Sequence, residues 1–313
     1  PEAVFILFQM TFAIITVAII AGGAAERLSF KAWMVFAPIW LLVVYAPIAH
    51  WVWGEGFLYD AGVLDFAGGA VVHINAGVAG LVLALKLGPR RGWPKEGQPP
   101  HNLVLTVIGA GLLWVGWFGF NGASQLALGS AADATAVSQI FANTNMAAAS
   151  GVVVAYIVSM LLGKGKANLG SVLNGALAGL VAITAEPLTP TILEAILIGG
   201  VGAVIATFGA VLLEAIRLDD VVGAIPVHLM AGIWGTMAVP LTNSDASFLG
   251  QAVGVGAIGA FVFITSFVLW LVLKVTLGIR LNPDEEEVGG DLSELGHSAY
   301  PEFTSKTAHK PAE

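Results

Sequence analysis

Two histidines in matched surroundings are the residues of this chain best placed to do chemistry. His73 and His228 stand in segments sharing the pattern D-x2-G-x3-V-H-x2-A-G-x2-G, Asp65 to Gly80 and Asp220 to Gly235, identical at seven spaced positions with a constant offset of 155. A neutral imidazole donates at one ring nitrogen and accepts at the other, so two of them in contact can share one proton and relay another. A lone intramembrane histidine is often a helix-to-helix hydrogen bond. Two at equivalent positions point instead to a pathway along which they meet. Each repeat opens with an aspartate, and the histidine follows eight residues later, which places it about 12 Å inside a helix that starts there. Asp65 and Asp220 are expected to cap those helices, satisfying orphan backbone donors at the positive dipole end. Gly69, Ala76, Gly77 and Gly80 share the His73 side of its helix, where small residues let another helix approach and leave a narrow lumen.

A second constellation is aromatic. Trp117, Phe120, Asn121 and Ser124 fall at i, i+3, i+4 and i+7, one stripe of mixed aromatic and hydrogen-bonding character. Phe8 and Phe12 occupy successive turns of an earlier segment, and Trp53 closes another. An interfacial belt accounts for most of the tryptophans. For Trp53, periodicity leaves belt and binding site both open.

The elements that carry these residues are membrane spans. The chain is 57% apolar and 11% charged, where a soluble domain carries about a quarter charged residues. Nine apolar stretches are long enough to cross about 30 Å of hydrocarbon: 3 to 25, 32 to 53, 65 to 87, 102 to 125, 139 to 162, 169 to 186, 191 to 216, 221 to 241 and 248 to 279. The histidine segments are the third and eighth, five spans apart, so in an alternating topology they cross in opposite senses. That predicts an all-α polytopic membrane protein with an inverted five-plus-five repeat and a long final helix, in which the transported species is handled between the halves. Nine helices of an expected eleven are present, and the two others are expected before residue 1. The expected units are 1–87, 88–241, 242–281 and an acidic tail, 282–313.

Charge fixes the expected orientation. With the first span running inward, all 13 Lys and Arg fall in one set of connections, and the other holds none. That second set carries Glu2, Glu55, Asp60, Asp65, Asp133, Glu186, Glu194 and Asp245. By the positive-inside rule the N-terminus lies outside and the tail in the cytoplasm of a cell (plasma or inner) membrane. The net charge of −8 is concentrated in the tail, where eight acids from Asp284 onward face only Lys306 and Lys310. The run Asp284 to Glu287 and the tail histidines His297 and His309 are expected to be solvated, with the run packing on the cytoplasmic ends of the helices. The absence of cysteine excludes thiolate metal sites, disulfides and cysteine nucleophiles. Glu26, Glu214 and Asp219 lie near cytoplasmic helix ends, and His50 and His101 near opposite faces. No set of three metal ligands forms, so no metal, cofactor, enzymatic reaction or nucleic acid is expected.

The segments F-Q-x-T-F-A (8 to 13), A-E-R (25 to 27), P-I-A-H-W-V-W-G (47 to 54), L-D-F-A-G-G-x-V-V-H-I-N-A-G (64 to 77), P-H-N-L (100 to 103), G-W-F-G-F-N (116 to 121) and V-H-x-x-x-G-I-W-G (227 to 235) resemble the ammonium transporter family, Amt and Mep proteins with their Rh relatives, over nearly the whole chain. The resemblance implies an outer ammonium site at Trp53, Ser124 and Phe12, a stacked gate of Phe12 and Phe120, and a twin-histidine pore of His73 and His228. It also implies ammonium and methylammonium as substrates, a homotrimer with one pore per subunit, and regulation by a PII-type protein at the cytoplasmic face. Two departures stand out. Gly223 occupies a position where the family often has a second Asp, and the tail reads G-G-D-L-S-E-L-G-H-S-A-Y, with Leu295 and His297 in variant positions. A sensor with the same fold and a passive Rh-like gas channel are the alternatives.

Overall fold

The computed structural model describes residues 1–96 and 98–301. Its long apolar helices are α1 (Glu2–Gly22), α2 (Phe30–Asp60), α3 (Gly69–Leu87), α4 (Leu103–Gln125), α5 (Ala131–Leu162), α7 (Ile192–Ala215), α8 (Ile225–Thr242) and α9 (Phe248–Thr276). Between α5 and α7 lies α6 (Leu169–Thr184), apolar but only 16 residues long. Two short helices follow, α10 (Pro283–Val288) and α11 (Gly290–Leu295). The nine expected spans each correspond to one apolar helix.

Starts and stops follow local chemistry. The α5 helix begins at Ala131, eight residues before the expected 139, because Ser130 and Asp133 form a capping box that extends the helix past its apolar stretch. Asn102, Thr191 and Ser247 cap α4, α7 and α9 in the same way, each side-chain oxygen accepting a backbone N–H of the first turn. Close packing of α5, α6 and α7 depends on small residues: Cβ atoms at Gly151 or Gly179 would collide with the backbone of α6 or α5. By contrast α4 touches the rest along one edge and turns most of its apolar surface outward, as a lipid-facing helix does.

The histidine segments differ from the expectation in one respect. Helical structure begins at Gly69 and at Ala224, four residues after each aspartate, so His73 and His228 sit in the first turns and not 12 Å inside. The reason is a left-handed glycine, Gly68 at φ +110° and Gly223 at φ +76°, which no side-chain-bearing residue adopts cheaply and which interrupts the helix. Both histidines then lie in a π-helical stretch, Gly69–Ile74 and Ile225–Met230. The sequence repeat is thus a repeat of conformation.

At the end that carries the bases, several are structural. Arg27 is fully buried and donates to the carbonyls of Gly88, Ala25 and Asp219, tying α1 to the ends of α3 and α7. The Arg90 guanidinium grips the Asp219 carboxylate through two nitrogens, both at 2.9 Å. Arg280 grips Glu286 of α10, and a short antiparallel pairing joins Leu28 to Arg280. The acidic run is therefore not wholly solvated: Glu286 is 8% exposed in its ion pair, while Glu287 pairs with Arg91 at the surface. Of the eight acids assigned to the opposite face, Asp65 and Glu186 are buried, so that surface is less acidic than expected. Glu302, Lys306, His309, Lys310 and Glu313 lie outside the described residues.

Burial alone would push the Asp219 carboxyl up, but hydrogen bonds from Arg90 and the fields of Arg90 and Arg27 outweigh it and hold it below the ordinary carboxylate range. A depressed carboxyl stabilises the fold above its unfolded-state value and ceases to as pH falls through the folded one. Replacing Asp219 with Ala leaves two buried guanidiniums facing each other and is expected to cost about 3–5 kcal/mol. Thermal unfolding in detergent checks this: the gap between wild type and Asp219→Ala should be wide at pH 7 and close below pH ~4.

Candidate substrate path

The fold gathers the aromatic and histidine residues into one chain of rings. Phe12, buried on α1, packs edge-on to Trp53 of α2, with ring centroids 5.6 Å apart, and against Phe120 of α4 at 4.6 Å. Phe8 adds a third contact to Phe12 at 4.8 Å. On its other side Phe120 lies nearly parallel to His73 at 5.6 Å, and His73 nearly parallel to His228 at 5.1 Å. Trp117 stacks on both His73 and Phe120, each at 5.3 Å. The path therefore runs from Trp53 through Phe12 and Phe120 to the histidine pair. Trp117 joins it too, a contact that the i, i+3 spacing to Phe120 signals without revealing what lies opposite.

Both indoles are held by hydrogen bonds. The Trp53 indole N–H donates to the Asp65 carbonyl at 2.7 Å, and the Trp117 indole to the Thr184 hydroxyl at 2.8 Å. Asn121 points away from the path, its amide donating to Thr144 of α5, so the expected stripe divides between path and helix packing. Ser124 donates its hydroxyl hydrogen to the Phe120 carbonyl at 2.8 Å. Its oxygen lone pairs stay available to accept from a hydrogen-bond donor such as an N–H.

The aspartates hold the histidine helices from outside. Asp65 accepts four backbone N–H groups, from Gly68 and Gly69 on one oxygen and from Ala70 and Val71 on the other, at 2.6–3.0 Å. Asp220 accepts from Ala224 and Ile225 at 3.0 and 2.7 Å. Both are thus capping groups that reach forward over a left-handed glycine.

Between the rings the decisive contact is Nδ1 to Nδ1, 3.1 Å from His228 to His73. One nitrogen must donate and the other accept, so the rings hold opposite tautomers and share a single proton at this contact. Nε2 of His73 is buried and without a hydrogen-bond partner among the described residues. Beyond the start of α8, toward the basic end, lies a cavity of about 150 Å³ lined by Trp93, Glu214, Asp220, Gly223 and Pro226, among others.

The sequence profile of the Ammonium Transporter Family matches residues 1–300. The chain belongs to the ammonium transporter family. The ammonium transporter of Bacillus subtilis is 42% identical to it over 96% of this chain and 76% of the relative. The ammonium transporter Amt1 of Archaeoglobus fulgidus is 36% identical over 96% and 78%. Among solved structures, one titled Sensor Amt Protein superposes with a TM-score of 0.86 at 32% identity, covering 93% of this chain and 76% of that one. Candida albicans Mep2 does so with a TM-score of 0.83 at 32% identity, covering 91% and 67%. A family of membrane transporters fits what the residues form here, an all-helical membrane protein with a continuous ring path.

Small residues set how closely this transporter's histidine helices meet, though not all those expected to. A Cβ at Gly77 would stand 2.6 Å from the backbone nitrogen of Leu229, the residue after His228, whereas one at Gly80 would meet nothing within 4 Å. Gly77→Ala should therefore drive the two helices apart and destabilise by about 1–3 kcal/mol. Gly80→Ala should be neutral or stabilising, because alanine is the better helix former by about 1 kcal/mol. Thermal unfolding in detergent, with methylammonium uptake alongside, compares the two variants.

Proposed function

We propose that this ammonium transporter captures ammonium at Trp53, Phe12 and Ser124, strips a proton from it near the Phe12 and Phe120 gate, and conducts ammonia past His73 and His228 for reprotonation at the basic end. The observation that carries this reading is the histidine contact itself. A buried and a half-buried imidazole joined Nδ1 to Nδ1, with the Nε2 of His73 unpartnered among the described residues, suit a neutral molecule that both donates and accepts.

Magnitudes favour deprotonation over passage of the ion. A bare monovalent cation in a dry lumen costs tens of kcal/mol by Born estimates. Cation-π contact with Trp53 and Phe12 returns about 2 kcal/mol when desolvated, and a bond to Ser124 about 1–3. Those terms hold a cation at the mouth and cannot carry it inward. Ammonium, unlike potassium, can leave its charge behind and continue as ammonia. Ser124 favours it further, since its oxygen can accept a directed N–H bond that a spherical ion does not offer.

The thirteen-to-none division of basic residues supports a cytoplasmic basic end and an outer Trp53 end, in a plasma or inner membrane. The cavity beside Trp93 and Asp220 then serves as the exit. Family resemblance supports methylammonium as a second substrate, a homotrimer, and a PII-type protein at the basic face. The likeness to a Sensor Amt Protein supports a sensing role as a second reading, and robust methylammonium uptake by cells carrying the protein as sole transporter decides against sensing alone.

Replacing His73 and His228 together with Ala removes both imidazoles and their shared contact. The expected result is loss of selective ammonia conduction, seen as methylammonium uptake near background or as potassium admitted in its place. Uptake at the wild-type rate with potassium still excluded would remove the histidine pair from the mechanism.

A further inference from the structure

The helix that lies outside the repeat, α9, reaches the candidate path through one side chain. Gln251 is fully buried in the first turn of α9, and its amide makes three hydrogen bonds. Oε1 accepts from the Leu64 N–H at 2.8 Å, while Nε2 donates to the Leu64 carbonyl at 2.7 Å and to the Thr236 carbonyl at 2.9 Å. The orientation of the amide is unambiguous, because one partner is a donor only and the other two are acceptors only. Gln251 thus grips both backbone groups of a single residue and ties it to α8, eight residues beyond His228.

That residue precedes Asp65, and Asp65 connects two parts of the path. Its carbonyl holds the Trp53 indole, and its carboxylate caps the helix that carries His73. The strap leading to it lies flat on α9. A Cβ at Gly250 would stand 2.8 Å from the Gly62 carbonyl oxygen, and one at Gly254 would stand 2.8 Å from the Val63 side chain. Downstream the strap is fixed on the opposite side, where the N–H groups of Phe66 and Ala67 donate to the carbonyls of Ala185 and Thr184. The α9 surface is therefore shaped to receive this strap, and Gln251 is its polar anchor.

We propose that Gln251 is a positioning residue of the outer ammonium site, acting through the Leu64–Asp65 strap on the Trp53 indole. The inference rests on the reading of Trp53 as part of that site. Without the clamp, Leu64 retains its place in the chain but loses two buried hydrogen bonds and its tie to Thr236. The Asp65 carbonyl then no longer fixes the ring against Phe12.

The test is methylammonium uptake by the full-length transporter, normalised to folded protein in the membrane, for Gln251→Leu, Gln251→Glu, Trp53→Phe and the double variant Gln251→Leu/Trp53→Phe. Gln251→Leu should raise KM about tenfold with Vmax changed by less than about twofold, the split expected when binding is lost and the later steps are kept. Gln251→Glu keeps the shape but sets carboxylate oxygen against two carbonyls, and should move KM in the same direction. Trp53→Phe keeps an aromatic ring but loses the indole N–H, and should raise KM by itself. Because both changes act on one contact, the double variant should be no worse than the worse single one. A Trp53→Phe KM equal to wild type would overturn the outer-site reading. A Trp53→Phe effect with an unchanged KM in both Gln251 variants, or with a double-variant effect equal to the product of the singles, would overturn the positioning role alone. Failure of both Gln251 variants to assemble would assign the residue to folding and likewise sink the proposal.

Discussion

Charge cannot cross a dry apolar lumen at bearable cost, and the proposed function of this chain follows from how its rings would meet that constraint. The two imidazoles on the candidate path, His73 and His228, meet nitrogen to nitrogen so that one hydrogen serves both. In the proposed function a pair of this kind suits a neutral guest that both donates and accepts a hydrogen bond. Everything upstream then has the opposite task. In the proposed function Trp53, Phe12 and Ser124 attract the charged form, and aromatic faces with one hydroxyl acceptor would do so with a few kcal/mol, enough to bind and too little to trap.

Placing two histidines so close needs two helices that begin in the right place and approach without obstruction. Each begins after a left-handed glycine, which lets an aspartate reach forward and cap backbone N–H groups that would otherwise be orphaned in a membrane. Each continues as a π-helical stretch, a widened turn that recurs at functional sites. Gly77 removes the side chain that would hold the helices apart. Arg27, Arg90 and Asp219 fix the same helices at their basic ends, where a buried ion pair with every hydrogen bond made can be tolerated.

Much of this was legible in residue order. The spans follow from hydropathy, and the histidine pairing follows from seven spaced identities, because a repeat in sequence becomes a repeat in conformation. What escaped notice has physical causes. The helix start at Gly69 depends on the backbone angle of Gly68, which a span of apolar residues conceals. The early start of α5 lies in a polar capping box outside the hydropathy window. Arg27, Arg90 and Glu286 read as topological or solvated charges, since their partners are distant in sequence. Gln251 gave no signal at all: a single amide in an apolar helix declares a role only when the loop it grips is in view. Trp53 and Phe12 are visible in the sequence as aromatics of the first two spans, their binding role is implied by family resemblance alone, and the fold brings their rings into contact.

The account stands or falls on the form in which substrate passes the histidine pair. The most direct measurement compares tracer fluxes of methylammonium and rubidium, a potassium surrogate, through the same purified transporter in liposomes under equal gradients. If the proton is shed before the pair, methylammonium enters well above empty liposomes and rubidium remains at their level. Rubidium flux comparable to that of methylammonium would mean that an intact cation crosses, and would contradict the account.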